Sequence, residues 1–223
     1  MKGKLLVIEG LDGCGKSTQM ELLCQWLSGQ EKRYRHIKFP DYANPSSALV
    51  RMYLNKELGD KPEDVNAYAA SSFYAVDRYA SYLQFWKRDY EAGAVILADR
   101  YTTSNAVYQM TKTEKDEWNN YLAWLQDYEY NKLRLPRPDL VLYLDMPVSV
   151  SQRLLSRRYH GDEGRKDLHE ADCGFLRQCR EAARFAAAAM GWRVISCAQG
   201  DAPRAIDQIH QELVETVKEV LAT

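Results

Sequence analysis

The stretch KLLVIEGLDGCGKST, Lys4 to Thr18, joins a continuous apolar run to a glycine-rich turn and then to a helical pattern. Lys4–Gly10 is short, rich in Val, Ile and Leu, and does not alternate, which predicts a strand buried on both faces of a parallel sheet. Gly10 to Ser17 then fits G-x-x-x-x-G-K-[ST]. In that pattern the glycines let the backbone curl, so that N–H groups converge on phosphate oxygens while the next helix presents its positive end. Lys16 can reach a transferring phosphate and the Ser17 hydroxyl can ligate Mg²⁺. The dinucleotide pattern G-x-G-x-x-G fails, because Gly13-Cys14-Gly15 is followed by Lys, Ser and Thr. A nucleoside triphosphate is the expected ligand, held by Gly10, Gly13, Cys14, Gly15, Lys16, Ser17 and Thr18.

Working outward, Ala94–Asp99 and Leu140–Met146 are apolar runs of the same kind, and Arg35–Pro40 and Trp192–Ala198 are weaker strand candidates. Between them, helical patterns run over Lys16–Leu27, Pro45–Asn55, Glu63–Glu91, Thr113–Asn131, Val148–Arg158, Glu170–Met190 and Pro203–Leu221. Alternating strands and helices predict βαβ units. The expected fold is α/β, a three-layer fold of the P-loop NTPase type with a five-stranded parallel sheet and helices on both faces. No linker or repeat is visible, so residues 1–223 read as one domain. The glycine-bearing basic insertion Arg157–Asp167 reads as a surface loop, a small lid spanning about residues 157–169.

Composition narrows the partners. Lys and Arg number 30 against 31 Asp and Glu, a net charge of −1. No global attraction to nucleic acid or an anionic membrane follows, and an anionic ligand must be caught locally. An apolar fraction of 46% excludes intrinsic disorder. The opening residues do not resemble a signal peptide, since Glu9 and the glycines cut the apolar run. Five cysteines without a CxxC pair suit reduced thiols rather than a zinc site. Together these predict a cytoplasmic protein without membrane or nucleic-acid partners.

A metal-bound triphosphate needs a second acidic group at a neighbouring strand end. Asp99 and Asp145 each close an apolar run, and Asp99 is followed directly by Arg100, which could grip a phosphate beside it.

With Phe39-Pro40, Asp99-Arg100-Tyr101, Pro136-Arg137-Pro138-Asp139 and the basic insertion, the Gly10–Thr18 loop resembles the thymidylate kinases over nearly the whole chain. The resemblance implies transfer of the ATP γ-phosphoryl group to dTMP with Mg²⁺, and a homodimer. It implies that Asp12 meets the deoxyribose 3′-hydroxyl, that Phe39 packs on thymine and that Tyr42 touches the monophosphate. Tyr74, or Phe73 beside it, would face the base, and Arg78 one helical turn on would meet its O4. Arg100 would clamp the acceptor phosphate, and Asn105, Tyr108 and Gln109 would line base and sugar, with Tyr108 excluding a ribose hydroxyl. Asp99 and Ser17 would hold the metal. Gly13 stands where some members carry a catalytic arginine, so Arg153, Arg157 and Arg165 would supply that charge, Arg157 and Arg165 at the reacting phosphate and Arg153 on ATP. Two rivals stay open: a deoxynucleoside kinase with Asp41 as general base, and a nucleotide-binding switch with no acceptor.

Overall fold

The computed structural model describes residues 2–158 and 173–222. Five parallel strands, β1 (Leu5–Gly10), β2 (Tyr34–Lys38), β3 (Val95–Asp99), β4 (Leu140–Asp145) and β5 (Arg193–Ser196), form one sheet in the order β2-β3-β1-β4-β5. The register is short and regular: Val7 opposes Ala98 on one side and Val141 on the other. β1 and β3 are buried at every residue, which is why they read as unbroken apolar runs.

Alternate residues of each strand feed two cores. Leu6, Ile8, Leu97, Leu142 and Ile195 pack against α1 (Lys16–Ser28) and the last helix. Leu5, Val7, Ile96, Ala98 and Tyr143 face the opposite layer. That layer is built from α3 (Ala67–Ser81), α5 (Trp118–Gln126) and α7 (Cys173–Met190), after the shorter α2 (Ala48–Leu54), α4 (Lys87–Glu91) and α6 (Val148–Arg158) are placed in chain order. The expected three-layer α/β architecture is present.

Four expected helices differ in detail, the first being Pro45–Asn55, which opens as a 3-10 turn at Pro45–Ser47 before α2. The run Glu63–Glu91 starts as a helix only at Ala67, where the Asn66 side chain accepts the Ala69 N–H at 2.9 Å. It then winds through an i→i+5 turn at Tyr82–Trp86 before α4. Thr113–Asn131 is a 3-10 turn, α5, and a second such wide turn at Asp127–Lys132. A third occupies Asn105–Gln109. Pro203 does not open the last helix. It pairs with Ala198 in a small antiparallel hairpin, β6 (Ala198–Gln199) and β7 (Ala202–Pro203), and α8 runs Ile206–Leu221. The strand expected to reach Ala198 stops at Ser196 for the same reason.

Gly3 shows how tightly the sheet is seated. Its N–H donates to the Tyr90 carbonyl at 2.7 Å, and a Cβ there would lie 1.9 Å from the Ala94 carbonyl oxygen. Gly3→Ala must therefore push β1 away from the start of β3, and urea denaturation is expected to show a loss of roughly 1–3 kcal/mol.

Candidate active site

Because β1 lies between β3 and β4, the chain leaves the sheet in opposite directions at their carboxyl ends, the place where open α/β sheets hold ligands. The loop after β1 and the segment after β3 meet there. Lys16 Nζ donates to Asp99 Oδ1 at 2.8 Å. Arg100 sits at φ 66°, a left-handed conformation that costs a non-glycine residue energy and recurs where geometry is imposed by a site. Its guanidinium donates to Glu9 Oε1 at 2.9 Å and Asp12 Oδ1 at 3.0 Å, and lies 5.0 Å from the Tyr108 ring centre. Burial opposes the charge on Arg100, but Tyr108, Glu9 and Asp12 outweigh it and hold the group protonated well above its ordinary range.

Asp12, Phe39, Tyr42, Tyr74, Arg78, Arg100, Asn105, Tyr108 and Gln109 all line one cavity of about 320 Å³. Tyr74, rather than its neighbour Phe73, is on that wall. Phe39 is almost wholly buried, with its ring 6.0 Å from that of Tyr101. Arg78 is buried and paired: Nε and Nη2 donate to the two Glu129 carboxylate oxygens at 2.7 and 2.5 Å, and Nη1 donates to the Tyr101 carbonyl. Burial disfavours the charge on Arg78, yet Glu129 prevails and raises its pKa. Asp41 turns aside, accepting the Asn44 amide at 2.6 Å, while its N–H donates to the buried Asp77.

A second cavity, of about 360 Å³, is lined by Gly13, Cys14, Gly15, Lys16, Ser17 and Thr18. Asp12, Lys16 and Ser17 belong to both walls. Gly10 supports this loop from below, where a Cβ would come 2.6 Å from Cys14 Sγ. Gly13 has φ 76° and its missing Cβ would stand 2.8 Å from Leu155 Cγ, so α6 leaves no room for a side chain there. Arg153 is exposed and bonds the Asp201 carbonyl, off this wall. Arg204 stands on the wall instead, together with Gln19, whose Nε2 donates to the Ile206 carbonyl. Arg165 and the side chain of Arg157 lie outside the described residues.

Sequence reasoning missed Glu9, Lys38, Tyr53, Lys112, Glu129 and Arg204. Only Glu9 carried a signal, as an acid inside an apolar strand. Asp145, the alternative metal ligand, is engaged by Arg180 at 2.6 and 3.0 Å. Among the described residues no group of three His, Cys, Asp or Glu could hold a metal by itself. Ser17, on both walls, and Asp99, bonded to Lys16, are oxygen donors of the kind a hard cation such as Mg²⁺ takes alongside water and phosphate.

The family model for thymidylate kinase matches residues 8–213. The chain belongs to the thymidylate kinase family. It is 31% identical over 192 residues to the thymidylate kinase of Mycobacterium tuberculosis strain CDC 1551, covering 84% of this chain and 87% of that one. It is 27% identical over 221 residues to a probable thymidylate kinase of Pyrococcus abyssi, covering 99% and 98%. Among solved structures, the thymidylate kinase of Candida albicans superposes with a TM-score of 0.70 at 25% identity, covering 98% of this chain and 92% of that one.

Lys112 closes the far end of the first cavity, donating to the Tyr53 hydroxyl at 2.8 Å and the Val65 carbonyl at 2.9 Å. Burial lowers its pKa from 10.5 to about 8. The unfolded chain then binds the extra proton between those values, so this group makes stability rise with pH above 8. Lys112→Met should flatten that rise: the difference in Tm between wild type and variant is expected to change between pH 7.5 and 9.5, and a constant difference would contradict the assignment.

Proposed function

We propose that this chain transfers the γ-phosphoryl group of ATP to dTMP, giving dTDP and ADP, in the cytoplasm, as one kinase domain with residues 157–169 as its lid. The observation that supports this most is the shared wall: a triphosphate-type loop cavity and a cavity lined by Tyr74, Arg78 and Tyr108 meet at Asp12, Lys16 and Ser17. Two phosphorylated molecules placed end to end across that wall would put donor and acceptor phosphates beside Lys16 and Arg100.

The acceptor is already an ionised phosphate, so transfer needs positioning and charge neutralisation rather than a strong base. Lys16 neutralises the transferring group, and Arg100 holds the acceptor phosphate in line. Asp12 takes the sugar hydroxyl, and Tyr108 packs against the deoxyribose. Arg157 and Arg165 are the lid-side cations for the reacting phosphate, and Arg204, rather than Arg153, stands on the donor wall. Ser17 and Asp99 would hold Mg²⁺, which when bound draws charge from the phosphate oxygens. A nucleoside acceptor would need a base in the cavity, and Asp41 is committed to Asn44 instead.

Arg100→Ala is expected to lower kcat/KM for dTMP at least roughly 100-fold while ATP affinity persists. A coupled ADP-release assay over nucleosides and their monophosphates checks this and the acceptor class together. Near-normal turnover in the variant would refute the clamp, and phosphorylation of thymidine but not dTMP would refute the acceptor.

We also propose a homodimer through α3. Val76 and Tyr79, three residues apart on α3, and Leu83 in the wide turn that follows are exposed apolar side chains. Val76→Glu is expected to yield monomers in sedimentation velocity, whereas an unchanged sedimentation coefficient would place any dimer contact elsewhere.

A further inference from the structure

Glu129 lies on the wide turn Asp127–Lys132, fully buried, with no direct place on the cavity wall. Its Oε2 accepts Arg78 Nε at 2.7 Å, and its Oε1 accepts both Arg78 Nη2 at 2.5 Å and Asn105 Nδ2 at 3.2 Å. The second N–H of that same Asn105 amide reaches the Ser71 carbonyl at 3.3 Å. Both amide hydrogens are thereby used, and the acceptor Oδ1 is the polar atom of Asn105 left over. A guanidinium has five N–H groups, of which three are bonded here. One on each terminal nitrogen of Arg78 remains to be offered. Arg78 and Asn105 both line the first cavity.

We infer that Glu129 is a positioning residue that sets the polarity of base recognition: it makes Arg78 present donors and Asn105 present an acceptor to the pyrimidine edge. The inference rests on the reading of this cavity as the acceptor site. An adjacent donor and acceptor complement a ring with a 4-carbonyl and an N3–H, as in thymine and uracil. They oppose a ring with a 4-amino group and an N3 lone pair, as in cytosine. An ionised carboxylate only accepts, so no other orientation of the Asn105 amide satisfies it. Mispairing at both atoms leaves buried polar groups unmatched, which is the costliest kind of discrimination a site can impose.

Glu129→Gln keeps the shape and introduces an amide donor that opposes Asn105 Nδ2 or Arg78 Nε. With that amide on the Asn105 side the orientation of Asn105 is no longer preset, and with it on the Nε side the guanidinium of Arg78 is displaced. The expected result is a fall of at least roughly tenfold in the ratio of kcat/KM for dTMP to that for dCMP, carried by KM for dTMP, with KM for ATP unchanged. Circular dichroism and Tm report folding separately. If the pair only stabilises the core, Tm falls and the ratio stays, which overturns the inference. A wild-type protein that shows no transfer to dTMP overturns the acceptor reading itself and is told apart by that control. Should the variant not fold, nitrogen-15 NMR of the wild-type arginine side chains decides the matter. Separate Nη signals for Arg78 before dTMP is added support a preset guanidinium, and averaged signals that split only on binding overturn it.

Discussion

The junction of the two cavities is referred to one buried carboxylate. Glu9 is fully buried at the end of β1, where an unpaired charge would be prohibitively expensive. It is satisfied from several sides: Gly10 N–H and an Arg100 Nη on one oxygen, and the Thr103 and Ser104 hydroxyls on the other. These donors come from the two chain segments that leave β1 and β3. Satisfying Glu9 therefore locks the start of the phosphate loop to the turn after β3, and it is the condition under which Arg100 persists with a left-handed backbone. Arg100 in turn reaches Asp12 within the loop, so the two cavities share a wall that cannot drift.

The same economy of space explains the loop's sequence. Gly10 is required because Cys14 packs where its side chain would be, and Gly13 because α6 closes over it. A side chain at position 13 would press on Leu155 and the Ser151 carbonyl of α6 in this chain. On the proposed reading, a cation for the transferring group comes from another element, and the sequence offers the basic run after α6. Lys38, with Nζ 3.9 Å from Asp99 Oδ2 and on the wall of the first cavity, adds charge from β2.

How much of this was legible follows from what each residue depends on. β1, β3 and β4 were plain because a strand covered on both faces must be apolar throughout, and the loop was plain because its chemistry is local. Arg100, Asn105 and Tyr108 line one cavity because they hang from one strand end. The wide turns were invisible: Asn105–Gln109 and Asp127–Lys132 are wound as they are by partners remote in sequence, Ser71 and Arg78 among them, and no periodicity records that. Pro203 misled because proline suits a first helical turn as well as it suits the edge of a hairpin. Glu9 was noted only as an interruption of an apolar run, although an acid in a buried strand is the more informative sign.

The pair Arg78–Glu129 poses the remaining question, why a fold should bury two charges that apolar residues could replace. On stability alone the choice is poor, because desolvation offsets most of the attraction. The two adjacent residues of α3 suggest the answer. Asp77, also buried, accepts the Asp41 N–H at 2.8 Å and the Ser46 hydroxyl at 2.7 Å, and so fixes the loop that carries Phe39, Pro40 and Tyr42 over the cavity. Arg78, facing the other way, is fixed by Glu129. One helical step thus anchors both walls of a single cavity with charge-assisted bonds, whose directionality apolar packing cannot supply. On the reading proposed above, what the fold gains is orientation of groups that read a flat ring by its edge, where a rotated guanidinium or an inverted amide would cost more than the burial does.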